Sequence, residues 1–137
     1  MRNGSQAREK AVNPAIARKI GPELTELIEE VRISGEEWGR LKARVEYLGH
    51  FRKIRLAELI DKYFAAIEMT GDKASVARAE EMARKDPEYK KIVMQLYKSQ
   101  VEESRAMSWH FAKRNAMDVL FAKMNLERAE MYMNKSA

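Results

Sequence analysis

Apolar residues recur at intervals of three and four through most of the chain, and this spacing predicts α-helices. The first clear helix is expected to begin after Gly21, because Pro22 suits the first position of a helix. It is expected to end at Ser34-Gly35, with Ser34 as a cap for the next helix. The stripe between these points has i, i+3, i+4, i+7 spacing and comprises Leu24, Leu27, Ile28 and Val31.

A second stripe predicts a long helix over residues 36–69. Gly39 and Gly49 lie inside it and each weakens the helix by about 1 kcal/mol relative to Ala, so a kink near Gly49 is allowed. The apolar positions of this helix are Leu41, Val45, Leu48, Leu56, Leu59, Tyr63 and Ile67.

Residues 69–75 form the clearest turn, after which Ser75 is placed to cap a short helix over 76–85. Asp86 is then placed to cap a last helix with a proline at its first position, and neither Gly nor Pro interrupts that helix up to about residue 133. At 1.5 Å per residue such a helix is about 70 Å long. It therefore needs a long partner, and the 36–69 helix, packed antiparallel, is the natural one.

These elements predict an all-α protein, a long antiparallel helical hairpin with additional N-terminal helices. Residues 1–20 are interpreted as a flexible basic arm with a short helical turn from Pro14, and residues 21–137 as a single helical domain. The last helix is longer than its partner, so part of its apolar surface is left uncovered and a homo-oligomer is expected. Its predicted interface residues are Leu120, Phe121, Met124 and Met131.

Composition supports the helical prediction and indicates a cellular compartment. Six glycines and three prolines are few, and 34% of the residues are charged. The absence of cysteine excludes disulfides and favours a reducing compartment. We find neither a signal peptide nor an apolar run long enough to span a membrane, so the expected location is cytoplasmic.

Catalytic and metal-binding patterns are not evident in the sequence. There is no glycine-rich phosphate loop and no nucleophile motif. His50 and His110 lack the spacing of metal ligands and are expected to be ordinary half-buried residues. We therefore expect no catalytic residue, no metal and no cofactor, and hence no enzyme.

The net charge of +5 is unevenly distributed. Residues 21–37 hold six glutamates and one arginine, whereas residues 40–55 hold six basic residues and one glutamate. A helix face of this kind can neutralise phosphates of a nucleic acid. The alternative is that it meets the acidic segment of a neighbouring subunit. The six basic residues are Arg40, Lys42, Arg44, Arg52, Lys53 and Arg55.

A second candidate for nucleic-acid contact lies in residues 108–117. Trp109 and Phe111 precede Lys113 and Arg114, and aromatic rings beside cations suit single-stranded nucleic acid. Residues two apart on a helix point in different directions, so one of the two rings is expected in the core. Trp109 is the candidate for base stacking.

The run Leu41-Lys42-Ala43-Arg44-Val45-Glu46-Tyr47, with the segment "TGDKASVARAEEMARKDPEY" in the middle of the chain, resembles the UvsY-like phage recombination mediators. The resemblance covers roughly residues 38–130. It implies a helical, ring-forming protein that binds single-stranded DNA through Lys42 and Arg44. It also implies a role in helping a RecA-like recombinase displace single-strand-binding protein. If a phage encodes the chain, the expected location is the host cytoplasm.

In that family the motif lies directly before the turn. Here residues 56–64 occupy that place, where Asp61 and Tyr63 are kept but the basic residues are not. The register of the motif is therefore open.

The function expected from these observations is a single-stranded-DNA-binding recombination mediator. Two alternatives remain open at this point. A phage protein could inhibit a host nuclease or a CRISPR effector through protein contacts. A helical assembly scaffold would use its long helices for protein contacts alone.

Overall fold

Three α-helices make up the chain in the computed structural model, which describes the backbone of residues 14–136 and the side chains of residues 21–134. They are α1, Pro14–Met69; α2, Val76–Lys85; and α3, Pro87–Ser136. This part of the chain contains no strand, so the all-helical prediction is confirmed. Of the predicted arm, residues 1–13 lie outside the described residues and residues 14–20 are helical.

The first helix is kinked at Gly21, whose φ of 75° and ψ of 172° are not helical. This conformation is essentially restricted to glycine because any Cβ would clash. Pro22 restarts the helix directly afterwards, as the sequence predicts, because a first helical position needs no backbone N–H donor.

The predicted break at Ser34-Gly35 is wrong, because α1 continues through both residues with helical geometry. Ser34 is fully buried; its hydroxyl donates to the carbonyl of Val31 at 3.1 Å and lies 2.9 Å from Nδ1 of His110. At Gly35 a Cβ would lie 3.1 Å from Cε1 of His110. These two small residues therefore permit a close approach of α1 and α3 and do not terminate a helix.

The turn after α1 follows the predicted chemistry. Gly71 has a positive φ of 82°, and its amide donates to the carbonyl of Glu68 at 3.1 Å. The side chain of Ser75 accepts a hydrogen bond from the amide of Arg78, which caps α2 at its N-terminus. The predicted bounds of this short helix, 76–85, are confirmed.

Asp86 caps α3 and also connects it to α1. Its Oδ1 accepts from the amide of Glu88 at 2.8 Å, and its Oδ2 accepts from the hydroxyl of Tyr63 at 2.5 Å. The hydrogen bond from Tyr63, followed by the one from the Glu88 amide, holds the pKa of the Asp86 carboxyl below its ordinary value. The start of α3 is thus fixed by a residue that the sequence already marks as a cap.

The described residues divide into two compact units, one of residues 38–106 and one that combines residues up to 37 with those from 107 onward. In the 38–106 unit the core is formed by Leu59, Ala83 and Tyr89. The apolar residues packed against this core are Leu56, Ile60 and Tyr63. Leu59 belongs to the predicted stripe of the 36–69 helix, and it is fully buried.

In the other unit Leu24 is fully buried. Glu30 on α1 forms an ion pair with Lys113 on α3, with 3.0 Å between Oε2 and Nζ. Three of the four predicted oligomer-interface residues are half-buried inside this unit, whereas Met131 is 55% exposed. The three half-buried residues are Leu120, Phe121 and Met124.

Candidate nucleic-acid interface

The six predicted basic residues of α1 occupy two flanks of one regular helix within the 38–106 unit. Arg40 and Arg44 are one turn apart on the first flank. Lys42 and Lys53 are eleven residues apart, which places them within about 20° of each other on the second flank. The side between these flanks that carries Leu41 and Leu59 is buried.

Arg55 is held by ion pairs and belongs to the structure of the unit. Its Nε and Nη2 each donate to the Glu88 carboxylate at 2.8 Å, and its Nη1 donates to Glu58 at 2.6 Å. The hydrogen bond to Glu88 is the largest cause of a raised Arg55 pKa, and the same bond lowers the pKa of Glu88. Because two carboxylates compensate its charge, Arg55 offers little to a phosphate.

Arg52 is also occupied, although by a neutral group. Its Nη1 donates to the hydroxyl of Tyr89 at 3.1 Å, and its side chain is half-buried. Tyr89 is a core residue. Arg52 therefore contributes charge near the flank but is held against the core.

Lys42 is exposed, and its side chain contacts an aromatic ring. Its ammonium lies 5.8 Å from the ring centroid of Trp38, within the range of a cation–π contact. Trp38 in turn donates from its indole nitrogen to Glu103 on α3 at 3.1 Å. Arg44 and Lys53 are exposed and form no ion pair or hydrogen bond with other described residues. These side chains and exposed Arg40 are the accessible basic residues of α1, with Arg40 and Arg44 on the first flank and Lys42 and Lys53 on the second.

An exposed apolar strip lies beside the first flank, that of Arg40 and Arg44, and was missed by the sequence analysis. Tyr47 is 66% exposed, Phe51 is 38% exposed and Ile54 is 58% exposed. The rings of Tyr47 and Phe51 are stacked, with centroids 6.2 Å apart and an interplanar angle of 10°. The i, i+4, i+7 spacing of these three residues, turned away from Leu41 and Leu59, is the signal that could have revealed them.

The second predicted cluster, on α3, divides in the structure. Lys113 is paired with Glu30, whereas Arg114 is exposed. Trp109 is 45% exposed and Phe111 is 41% exposed, so the prediction that one of these rings is in the core is wrong. The reason is that α3 turns Ala106 and His110 inward here, and both rings flank that line.

The histidines differ in their environment. His110 is half-buried against Ser34, as predicted, but His50 is exposed, which corrects the prediction for that residue. His50 lies on the outer side of α1, between Tyr47 and Phe51 along the chain. Within the described residues no group of three or more metal-ligand side chains is placed to hold an ion.

A groove beside α2 and α3 is the other notable surface of the 38–106 unit. Its volume is about 540 Å³, and Arg84 at its edge is paired with Glu80 at 2.9 Å. Aromatic and aliphatic side chains dominate its lining, so it does not provide a second phosphate-binding face. The remaining lining residues are Tyr89, Lys90, Val93, Met94 and Tyr97.

Within residues 38–106, then, the structure brings together exposed cations and exposed aromatic rings on one helix. Arg55 is not among these accessible cations because it pairs with Glu88, and Lys113, in the other unit, pairs with Glu30. None of the helices in the described part of the chain has the length and apolarity that a membrane crossing requires. Compared with known proteins, the chain matches no protein-family model, no curated protein and no solved structure.

Proposed function

We propose that this protein is a phage-type, single-stranded-DNA-binding recombination mediator that helps load a RecA-like recombinase onto strands covered by single-strand-binding protein. The observation that carries the proposal is the set of accessible basic residues on the two flanks of α1. Arg44 and Lys53 are exposed and make no ion pair with described residues, and Lys42 is exposed above the Trp38 ring. Cations so placed can bind phosphates and release their counterions.

The recombinase part of the proposal is supported by the resemblance of residues 41–47 to the basic motif of UvsY-like mediators. Lys42 and Arg44, the two basic residues of that run, are both exposed. A mediator needs no chemistry of its own, because it acts by holding the strand while one protein replaces another. Simple electrostatic contacts are sufficient for that task.

We also infer that α1 and α3 pack antiparallel within each unit. In the 38–106 unit, Trp38 bonds to Glu103, whereas Arg55, further along α1, bonds to Glu88, earlier on α3. The partners therefore run in opposite order along the two helices. In the other unit Glu30 bonds to Lys113 and Ser34 contacts His110, in the same opposite order.

Several copies of the chain are proposed to act together. The C-terminal part of α3 exposes large apolar side chains, which other copies can cover. Assembly would place the accessible basic residues of several copies along one strand, and linked weak sites bind far more tightly than a single one. The exposed residues are Val119, Leu126, Met131, Tyr132 and Met133.

The first test is binding to a fluorescent single-stranded oligonucleotide and to the matching duplex, measured by anisotropy over a salt series. We expect tighter binding to the single strand and an affinity that falls steeply with salt. Each phosphate contact contributes about 0.7 to the slope of log K against log salt for a single strand. Lys42→Ala with Arg44→Ala should therefore lower the magnitude of the slope by about 1.4.

The matched control is Lys91→Ala with Lys98→Ala, which removes the same two charges from exposed positions of α3. This control should retain the slope of the original protein. If the α1 variant and the α3 variant lose affinity equally, only the net charge matters and the site assignment is wrong. If the original protein binds neither DNA even at low salt, the proposed function is refuted.

The mediator role itself is tested with a RecA-like recombinase and single-strand-binding protein. The recombinase hydrolyses ATP on single-stranded DNA, and prior coating of that DNA by single-strand-binding protein delays this activity. We expect the protein to shorten the delay and the Lys42→Ala/Arg44→Ala variant to shorten it less. DNA binding with no effect on the delay would leave a DNA-binding protein that is not a mediator.

An assembly scaffold is the second candidate, and the exposed apolar residues at the end of α3 favour it. Such a protein would use those residues for protein contacts and would ignore nucleic acid. Light scattering with and without an oligonucleotide separates the two candidates. Large assemblies that form equally well in both conditions, together with no DNA binding, would favour the scaffold.

A further inference from the structure

We propose that Tyr47 and Phe51 form a base-stacking platform for single-stranded DNA, with Arg44 holding the adjacent phosphate. This inference rests on the proposed function and adds to it a binding site made of aromatic rings. The residues concerned lie on consecutive turns of α1: Arg44 to Tyr47 is i, i+3, and Tyr47 to Phe51 is i, i+4.

The exposure of the two rings is the first argument. Most of the surface of Tyr47 and over a third of that of Phe51 contact solvent. Leu41 and Leu59 of the same helix are buried, with 6% and 0% exposure. Two neighbouring aromatic rings left outside on a helix that buries its leucines indicate a surface kept for a ligand.

The arrangement of the rings is the second argument. Their planes differ by only 10°, with 6.2 Å between centroids. Nearly parallel rings present nearly parallel faces, and successive bases of a single strand also offer parallel flat faces. Any base can stack on such a platform, because every base has a π face.

Charge decides the kind of ligand that fits. Arg44 is exposed beside Tyr47 and forms no ion pair with described residues, whereas Glu58, one turn after Ile54, has its carboxylate bonded to Arg55. The strip is therefore apolar in its centre and positive at the Arg44 end. An anionic ligand with flat apolar groups suits this surface better than a second copy of the apolar strip itself.

The duplex is excluded from such a site because its bases are already stacked on each other. A single strand offers unstacked bases and a phosphate backbone at once. The platform would thus explain a preference for single strands, which a basic face alone does not provide. The proposed platform does not use Trp109, the sequence-based candidate for stacking.

The test uses the full chain and two oligonucleotides of equal length, one of deoxythymidines and one of abasic deoxyribose phosphates. Leucine replaces both rings in Tyr47→Leu/Phe51→Leu, which keeps apolar side chains on the helix. The matched control is Tyr97→Leu, at an aromatic position in the same unit that is 63% exposed. Circular dichroism confirms that each variant remains helical, and light scattering gives its mass.

We expect the double variant to bind deoxythymidines about tenfold more weakly or worse, with an unchanged affinity for the abasic chain and an unchanged salt slope. Tyr97→Leu should bind both like the original protein. The platform is refuted if the double variant binds deoxythymidines normally, a result that leaves the proposed function intact. Equal losses on both oligonucleotides, or a changed mass, would instead assign the rings to folding or to contacts between copies. Absence of binding by the original protein refutes both proposals.

Discussion

Three glycines of α1 provide a test of how closely α1 and α3 approach each other. Gly35, Gly39 and Gly49 all lie inside the helix, yet only at Gly35 would an added Cβ meet a neighbour, Cε1 of His110 at 3.1 Å. At the other two positions nothing lies within 4 Å. Alanine should therefore stabilise the protein at Gly39 and at Gly49 but not at Gly35.

The magnitudes can be worked from the structure. Alanine is favoured over glycine in a helix interior by about 1 kcal/mol, and this gain is available at Gly39 and Gly49. At Gly35 the Cβ would be closer than the optimal carbon–carbon separation of about 3.5–4.0 Å. The His110 ring is tied to Ser34 at 2.9 Å and cannot move freely. Overpacking costs about 1–3 kcal/mol, so Gly35→Ala should be neutral or destabilising by up to about 2 kcal/mol.

Urea unfolding followed by circular dichroism, at one protein concentration, measures these differences. Gly39→Ala and Gly49→Ala should raise the unfolding midpoint with an unchanged denaturant slope. In a His110→Ala background the clash is removed, and Gly35→Ala should then stabilise the protein as Gly39→Ala does. The reasoning fails if Gly35→Ala stabilises the original protein as much as the other two substitutions, or if removal of His110 makes no difference.

Two further predictions concern the 38–106 unit. Leu59→Ala opens a cavity beside Ala83 and Tyr89, should cost about 2–5 kcal/mol and should lower the melting temperature by roughly 10 °C. The control Val76→Ala, at an exposed position of α2, should change the melting temperature little. Asp86→Asn should lower the melting temperature at pH 7, because the folded state holds the Asp86 pKa below its ordinary value of 3.8. Stabilisation by a lowered carboxyl pKa is present above that ordinary value and disappears as pH falls through the folded value. The difference between the two proteins should therefore shrink below about pH 4, and a constant difference down to pH 3 would contradict this account.

The local chemistry of helix ends could be predicted from the sequence. Ser75 and Asp86 cap helices with their side chains, and Pro22 starts a helix at a position that needs no backbone N–H donor. Each of these roles depends only on residues a few places away in the sequence. The predicted helix break at Ser34-Gly35 is wrong because the role of these residues is not set by their neighbours in the sequence. The use of these residues depends on His110, which lies more than seventy residues away along the chain, and small residues signal both a helix end and a close helix contact.

In the candidate site, too, features set by nearby residues could be predicted, whereas those set by distant residues could not. The exposed positions of Arg40, Lys42, Arg44 and Lys53 agree with the helical period of the apolar stripe. The sequence could not show that Arg55 is held in an ion pair, because its partner Glu88 lies on another helix. The same holds for Lys113, whose partner Glu30 is on α1. Ion pairs within one helix can be predicted from spacing. Glu80 and Glu81 each pair with a basic residue one turn away on α2.

The pairing of Arg55 has a consequence for the way DNA would bind. A phosphate that captured this guanidinium would have to displace two carboxylates, one of which, Glu88, stands in the first turn of α3. That exchange would release a carboxylate next to the bound strand and weaken the contact between α1 and the start of α3. Arg44 and Lys53 involve no such exchange, because neither is paired with a described residue. DNA binding through them leaves the helix contacts unchanged, so substitutions at Arg44 should affect affinity without affecting stability, whereas substitutions at Arg55 should affect stability first.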